Sequence, residues 1–278
     1  MLAFCFLTYE DVEHREIWEP WFAAAPPDQY TIVIHRKEGE GSAMPVTVIP
    51  TQKTEWGTWS LVEVQQCLFR EAAKNPAVTK FILLSADTIP LYSFAALYKA
   101  LMADDKGYIR KTKYTKSPRK NPNMQAWSLP WRWSLTSQWI ILNRAQFTAL
   151  EDNFVMLRTV FGNMYIPDEH VYSIFFDGFG LLDTFKLVPP VHVQWDQKPH
   201  TLHTMLCTPL LRPQRIPERT RSCSIWHRDR PHTFHAEELT PRKVAEIYAS
   251  SAFFLRKVCS LAPLRFDLTL DRILLPKA

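Results

Sequence analysis

Three apolar runs in the first third of the chain constrain the fold more than any other feature of the sequence. They cover residues 2–8, 30–35 and 80–85, and each has the length of a strand and is apolar on both faces. Helix-like segments at residues 11–22 and 59–74 lie between them. Strands buried on both faces are typical of parallel sheets covered by helices. The sequence therefore predicts an α/β fold with a mostly parallel central sheet and helices on both faces.

The composition suits one folded domain that spans residues 1–278. Of these residues 46% are hydrophobic, which is enough for a substantial core. The formal charge of +5 is mild and gives a soft preference for anionic ligands. The clearest basic run, residues 110–120, has one aromatic residue and Pro118, as solvated loops usually do. We therefore expect no nucleic-acid partner.

The cysteines and the start of the chain indicate the compartment. Five widely spaced cysteines without a C-x-x-C pair suggest neither a disulfide framework nor a zinc knuckle. Residues 2–8 are too short and too poor in basic flanks for a signal peptide or membrane anchor, and no later segment approaches a transmembrane span. We expect a cytoplasmic protein.

Two polar loops follow predicted strands and are candidate ligand loops. They are residues 36–41 and 85–90, and ligands of parallel α/β sheets sit at the carboxyl ends of the strands. The seven glycines form neither a G-x-G-x-x-G motif nor a P-loop. A bound nucleotide would therefore have to be held mainly by side chains.

Two adjacent carboxylates, Asp168 and Glu169, stand between Pro167 and an aromatic-rich run. Proline and acidic residues are typical of the first turn of a helix, where the helix dipole stabilises anions. The pair is either an ordinary helix start or a carboxylate that lies at the rim of a buried site.

Three tryptophans, Trp131, Trp133 and Trp139, lie within nine residues of one another. They either pack in the core or form a platform for a sugar.

Five segments, in order along residues 2–260, resemble the Core-2/I-branching glycosyltransferase superfamily, which includes peptide xylosyltransferases and related plant proteins. Residues 54–62 match the family's W-G-x-x-S-L segment, and residues 81–91 match its F-x-x-L-S…P-[IL] segment. Further along the chain, residues 137–139 match S-[QD]-W, residues 167–172 match P-[DA]-E and residues 252–258 match F-A-R-K-F. The resemblance implies a GT-A fold, a nucleotide-sugar donor and inversion at the anomeric carbon without a metal. It also implies a nucleotide-binding half, residues 1–105, and an acceptor and catalytic half, residues 106–278.

By residue matching, the resemblance implies Glu169 as the general base, with Asp168 orienting or capping beside it. Arg221, Arg256 and Lys257 would form a diphosphate clamp in place of a metal ion. No two aspartates are two positions apart, so the metal-binding D-x-D motif is absent. We expect no cofactor and no metal.

Further substrate contacts are implied at both ends of the donor. His35, Arg36 and Thr54 should border uridine and ribose, and Gln138 and Trp139 should approach the donor sugar. Members of the family often carry an acidic residue where this chain has Arg36. The matched segments add four more expected substrate contacts, Trp56, Ser85, Asp87 and Ser137.

The expected reaction transfers a sugar from a UDP-sugar to a hydroxyl of a glycan or glycoprotein acceptor. UDP-xylose is the expected donor, giving a β-xyloside, and UDP-N-acetylglucosamine is the alternative within the family. A glycoside hydrolase or a carbohydrate-binding module is the alternative of another class. A zinc site could also form from the histidines and cysteines of the last third, which are His200, His203, Cys207, Cys223, His227, His232 and His235. The compact chain resembles glycosyltransferases of large algal viruses or bacteria.

Overall fold

The computed structural model describes residues 1–39, 44–110, 113–114, 132–195, 231–235 and 237–259. In this part of the chain a seven-stranded central sheet has the strand order β10-β6-β9-β4-β1-β2-β3. Its strands are β1 Leu2–Thr8, β2 Tyr30–Arg36, β3 Thr47–Ile49, β4 Lys80–Ser85, β6 Gly107–Tyr108, β9 Ile141–Asn143 and β10 Phe185–Lys186. Strand β9 is antiparallel to β4 and β6, and the other pairings of this sheet are parallel. The prediction of a mostly parallel sheet is confirmed.

Two smaller sheets flank the central one. The first has the order β11-β12-β5, with β5 Ile89–Pro90, β11 Val191–Val193 and β12 Phe254–Arg256. The second pairs β7 Lys113–Tyr114 with β8 Ser134–Leu135. The described α-helices are α1 Arg15–Ala23, α2 Ser60–Ala73, α3 Phe94–Met102, α4 Arg144–Asp152, α5 Phe154–Phe161, α6 Val171–Gly178 and α7 Pro241–Tyr248. The longest, α2, has 14 residues, and none has the length and apolar character needed to cross a bilayer.

Helices cover both faces of the central sheet. Neighbouring side chains of β1 point to opposite faces, so their contacts show which helix lies on each face. The Phe4 ring packs edge-on against Phe22 of α1, with 5.1 Å between ring centroids, and also contacts Phe94 of α3. The next side chain, Cys5, faces the other way and its thiol lies 4.0 Å from the carbonyl oxygen of Leu68 in α2. Phe4, Cys5 and Leu68 are fully buried. The predicted helix-covered α/β architecture is therefore confirmed.

Helix α1 starts later than the sequence predicts. The sequence predicts a helix over residues 11–22, but the helix begins at Arg15. Tertiary contacts hold the preceding residues in another conformation. The Glu13 N–H donates to Ala86 O, and His14 Nε2 lies 3.1 Å from the carbonyl oxygen of Val258. Long-range hydrogen bonds thus convert the expected first helical turn into part of a loop at the sheet edge.

Candidate active site

The carboxyl ends of β1, β2 and β4 meet at one edge of the central sheet, where backbone hydrogen bonds join their exit loops. The Glu13 N–H donates to Ala86 O over 3.0 Å, and the Glu38 N–H donates to Tyr9 O over 2.8 Å. The chain moves from β1 to β2 on one side and later returns to β4 on the other side of β1. Ligands of open α/β sheets bind where the strand order reverses in this way. This edge is therefore the candidate active site.

A cluster of charged and polar side chains lies at the exit of β4. Arg256 Nε donates to Ser85 Oγ over 2.8 Å and to Asp87 Oδ1 over 3.2 Å. Lys257 Nζ lies 3.3 Å from Asp87 Oδ2. The antiparallel pairing of β12 with β5 brings Arg256 to this place, and its guanidinium lies 4.8 Å from the centre of the Trp139 ring. The structure thus brings together five of the residues that the sequence nominated.

Asp87 is ionised in this cluster at neutral pH. Burial alone would raise its pKa, but the charges of Arg256 and Lys257 and the Ser85 hydroxyl lower the pKa to about 2. The carboxylate offsets one of the two cations. A net positive charge remains, which suits an anionic ligand such as a diphosphate.

The two adjacent carboxylates lie in a short turn that precedes α6. They were expected in the first turn of an α-helix, but Pro167–Glu169 forms a separate 3-10 turn. The Thr136 N–H donates to Glu169 O over 2.9 Å, and His170 Nδ1 lies 2.7 Å from Ser134 O. These bonds fasten the turn to β8 and the segment that follows it, and they prevent the turn from continuing into α6.

The side chains of Asp168 and Glu169 have different surroundings. Asp168 is 3% exposed and lies near Tyr172, whose pKa is raised by burial and, to a smaller extent, by the negative charge of Asp168. The Tyr172 hydroxyl donates to Gln65 Oε1. Glu169 is only partly buried. Of the pair, Glu169 is therefore the carboxylate that solvent and a substrate can reach more easily.

At the exit of β2 the structure buries His35 and Arg36. His35 Nε2 accepts a hydrogen bond from the Gln52 N–H over 3.0 Å, and burial lowers the pKa of this imidazole. Thr54, which is 8% exposed, lies two residues after Gln52. Arg36 is 2% exposed, and among the described residues its Nε and Nη2 have no hydrogen-bond partner. A ligand that carries hydrogen-bond acceptors would satisfy this guanidinium.

Trp56 lies on a loop beside the Glu169 turn and is 69% exposed. Its ring centroid is 5.7 Å from that of Tyr165, with an interplanar angle of 78°. Tyr165 was not nominated from the sequence, although it lies only two positions before Pro167, the start of the matched P-[DA]-E segment. His14 was also missed, because the sequence placed it inside a helix.

Of the other nominated residues, two directly precede Trp139 in the chain and one lies beyond the described ranges. Ser137 and Gln138 are half-buried before β9, where Ser137 Oγ accepts from the Trp139 N–H over 3.4 Å. Arg221 lies outside the described residues, so its part in the clamp stays a prediction. Trp139 is 4% exposed beneath Arg256, and its contact with a donor sugar also stays a prediction.

The histidines and cysteines of the last third lie mostly outside the described residues. Of those nominated as zinc ligands, His232 and His235 are described, and His232 Nε2 lies 3.2 Å from Glu238 Oε1. Within the described ranges, no group of three or more His, Cys, Asp or Glu residues is arranged to hold a metal ion.

Comparison with known proteins identifies the family. The family model for the Core-2/I-branching enzyme matches residues 2–248. The glycosyltransferase BC10 of Oryza sativa subsp. japonica is 26% identical over 152 residues, which are 51% of this chain and 38% of the rice protein. The crystal structure of TarS from S. aureus aligns with a TM-score of 0.32 and 12% identity, over 55% of this chain and 30% of TarS. The family match covers most of the sequence, and the chain belongs to the Core-2/I-branching enzyme family.

Proposed function

We propose that this protein is an inverting, metal-independent glycosyltransferase that moves a sugar from a UDP-sugar to a hydroxyl group of a glycan or glycoprotein acceptor. The observation that carries the proposal is the cluster of Arg256, Lys257 and Asp87 at the reversal of strand order. Two cations with one offsetting carboxylate suit the charge of a diphosphate. Membership of the Core-2/I-branching family supports a nucleotide sugar as the donor and a glycan as the acceptor.

In the proposed reaction, Glu169 takes the proton of the acceptor hydroxyl as that oxygen attacks the anomeric carbon. The attack comes from the face opposite the diphosphate. The bond between the anomeric carbon and the diphosphate oxygen breaks, and its electron pair leaves with UDP. Arg256 and Lys257 stabilise the charge that develops on the leaving diphosphate. One bond forms and one breaks in a single displacement, and because the attack comes from the opposite face, the configuration at the anomeric carbon is inverted.

We propose UDP-xylose as the donor, with UDP-N-acetylglucosamine as the alternative. The support is the resemblance of Ser85–Ala86 and Arg256–Lys257 to the xylosyltransferase branch of the family. Xylose lacks the C6 hydroxymethyl group, so a pocket narrowed by a side chain would exclude hexoses. Because the Trp139 ring lies under the Arg256 guanidinium, the half-buried Gln138 is the better candidate for this narrowing.

The direct test measures UDP release and product formation with UDP-xylose, UDP-glucose, UDP-galactose and UDP-N-acetylglucosamine. Transfer with UDP-xylose as the best donor is the expected result. A hexose donor that is used at least as well as UDP-xylose contradicts the sugar assignment and leaves the transferase assignment standing. Binding of these donors without any turnover would favour a carbohydrate-binding module instead.

The role of Glu169 is tested by Glu169→Gln, which keeps the size of the side chain but removes the base. UDP should still bind, and turnover should fall by roughly two to four powers of ten, the usual contribution of general-base catalysis. Glu71→Gln on α2, which removes an exposed ion pair with Lys74, is the matched control. Unchanged turnover in Glu169→Gln would assign the proton transfer to Asp168 or another acid.

A further inference from the structure

His14 is a buried histidine after the exit of β1, and no step of the proposed reaction uses it. It is 4% exposed, and its backbone has a φ of +55°. Residues other than glycine seldom adopt this left-handed conformation, which persists where the surrounding contacts hold it. The contacts of the His14 side chain therefore indicate what this residue does.

The imidazole of His14 is hydrogen-bonded to the segment that follows β12. His14 Nε2 lies 3.1 Å from Val258 O, and because a carbonyl oxygen can only accept, Nε2 carries the proton and donates. The other ring nitrogen, Nδ1, lies 3.5 Å from Glu16 Oε1, on a side chain that is mostly exposed. The bond to Val258 is thus the buried one of these two contacts, and it joins residues that are 244 positions apart.

The backbone around Val258 is held on both sides. Its N–H donates to Asp87 O over 3.1 Å, and its carbonyl oxygen accepts from His14. The carbonyl oxygen of the preceding residue, Lys257, accepts from the Phe234 N–H over 2.8 Å. Of these three bonds, only the one from His14 is made by a side chain. A substitution at His14 can therefore release one anchor of this segment and leave the other two in place.

We propose that His14 is a positioning residue for Lys257, because its bond to Val258 O keeps the Lys257 ammonium where the leaving diphosphate gains charge. The Lys257 side chain is 39% exposed, so the placement of the ammonium depends on its backbone more than on packing around it. Misplacing a reacting or charge-stabilising group by about 1 Å can lower a rate by about a hundredfold. This inference rests on the proposed transferase function and adds to it a residue that touches no substrate.

Two substitutions separate the hydrogen bond from the backbone conformation. His14→Asn keeps a residue that tolerates a positive φ, but the asparagine amide is too short to reach Val258 O. His14→Gln extends an amide N–H to about the position of Nε2 and so restores a donor. Transfer assays at saturating donor and acceptor should show kcat lowered about tenfold in His14→Asn and within about twofold of the wild-type value in His14→Gln.

A double-mutant cycle shows whether His14 acts through Lys257. In the Lys257→Ala background, His14→Asn should lower kcat by less than about twofold, because the group that His14 positions is gone. A residue that only stabilises the fold would lower kcat by the same factor in both backgrounds.

Asn143→Ala is the matched control for loss of a buried hydrogen-bonding side chain. Asn143 is also 4% exposed, and it caps α4 beside Lys80, at the opposite end of β4 from the candidate site. Its replacement should lower the temperature of thermal unfolding, because a helix cap is lost, and should leave kcat unchanged.

The outcomes separate this inference from the proposed function. An unchanged kcat in His14→Asn, equal effects in the two backgrounds, or no rescue by His14→Gln overturns the inference while the transferase function stands. Absence of turnover in the wild-type protein with every UDP-sugar contradicts the proposed function instead. Calorimetric titration of UDP into the four proteins of the cycle then decides the inference. His14→Asn should weaken UDP binding in the wild-type background and not in the Lys257→Ala background, and any other pattern overturns it.

Discussion

Arg36 is a residue whose burial the fold alone does not explain. Arg36 is 2% exposed, and its Nε and Nη2 donate no hydrogen bond within the part of the chain that the structure describes. A buried donor left without an acceptor costs about 1–3 kcal/mol of folding free energy, and a charged one costs more. Such a cost is expected where a side chain is kept for a ligand, and Arg36 stands at the exit of a strand that borders the candidate site.

Arg36→Met therefore should affect stability and nucleotide binding in opposite directions. Methionine is close to arginine in length and has no donor to satisfy, so the free energy of unfolding without nucleotide should rise by about 1–3 kcal/mol. The stabilisation by UDP, about 2.7 kcal/mol at a hundred times the dissociation constant for the wild-type protein, should shrink. Thermal and urea unfolding with and without UDP measure both effects.

Arg242→Met is the matched control, because Arg242 lies on α7 with its side chain 92% exposed. This variant should change neither the stability nor the response to UDP. Loss of stability in Arg36→Met together with an unchanged response to UDP would contradict the ligand role and make Arg36 a structural residue.

Single residues also show how far the sequence predicts the site. Asp87, Arg256 and Lys257 were nominated from short matched segments, and the structure places the two cations within hydrogen-bond or ion-pair distance of Asp87. Tyr165 and His14 were missed. Their positions depend on long-range contacts, such as the 3.1 Å approach of His14 Nε2 to Val258 O, that local patterns do not contain.

At the scale of elements, strongly apolar segments were predicted well and segments held by tertiary contacts were not. Strands β1 and β4 have the predicted bounds. Helices α4 and α5 follow one another in the chain and meet at Asn153. Asn153 Nδ2 donates to Ala149 O over 2.9 Å and so caps the end of α4. Periodicity finds an apolar face, but such capping contacts decide where a helix ends.

The junction of β4, β5 and β12 depends on the charge of Asp87. The Val258 N–H donates to Asp87 O, so both the backbone and the side chain of Asp87 join the exit of β4 to the end of β12. The pKa of Asp87 falls from 3.8 to about 2 in the folded protein. A carboxyl group whose pKa is depressed by folding stabilises the protein above its unfolded pKa, and this stabilisation is lost as the pH falls through the folded pKa.

Asp87→Asn should therefore lower the free energy of unfolding by about 2 kcal/mol at pH 5, the order expected for such a pKa difference. The difference between the wild-type protein and the variant should shrink between pH 4 and pH 2, because the wild-type carboxyl becomes protonated in that window. Urea unfolding at intervals from pH 2 to pH 6 measures it. A difference that stays constant over this range would show that the charge of Asp87 does not hold the junction.

At the scale of the whole molecule, the fold brings together residues that are far apart in the sequence. Arg256 and Ser85 are 171 positions apart, yet Arg256 Nε donates to Ser85 Oγ over 2.8 Å. The sequence predicted β1, β2 and β4 and a mostly parallel arrangement. It did not predict the strand order, or that β12 would pair with β5 and so carry Arg256 to the exit of β4. Such pairings are set by packing between distant segments.

This long-range assembly leads to a prediction about metal dependence. A leaving diphosphate needs positive charge, and Arg256 and Lys257 supply two cations at the carboxyl edge of the sheet. Transfer activity should therefore persist in excess EDTA. Arg256→Ala should lower kcat by about two to three powers of ten, the usual effect of removing one group that stabilises developing negative charge.

Steady-state transfer assays with and without EDTA, followed by addition of manganese, measure the dependence. Arg70→Ala on α2, which removes a cation paired with Glu151, is the matched control for Arg256→Ala. It should change kcat little, because an exposed ion pair contributes little to stability and Arg70 is not part of the proposed clamp. Activity that is lost in EDTA and restored by manganese would contradict metal independence. Stabilisation of the negative charge on the leaving diphosphate would then depend on a divalent ion rather than on Arg256 and Lys257 alone.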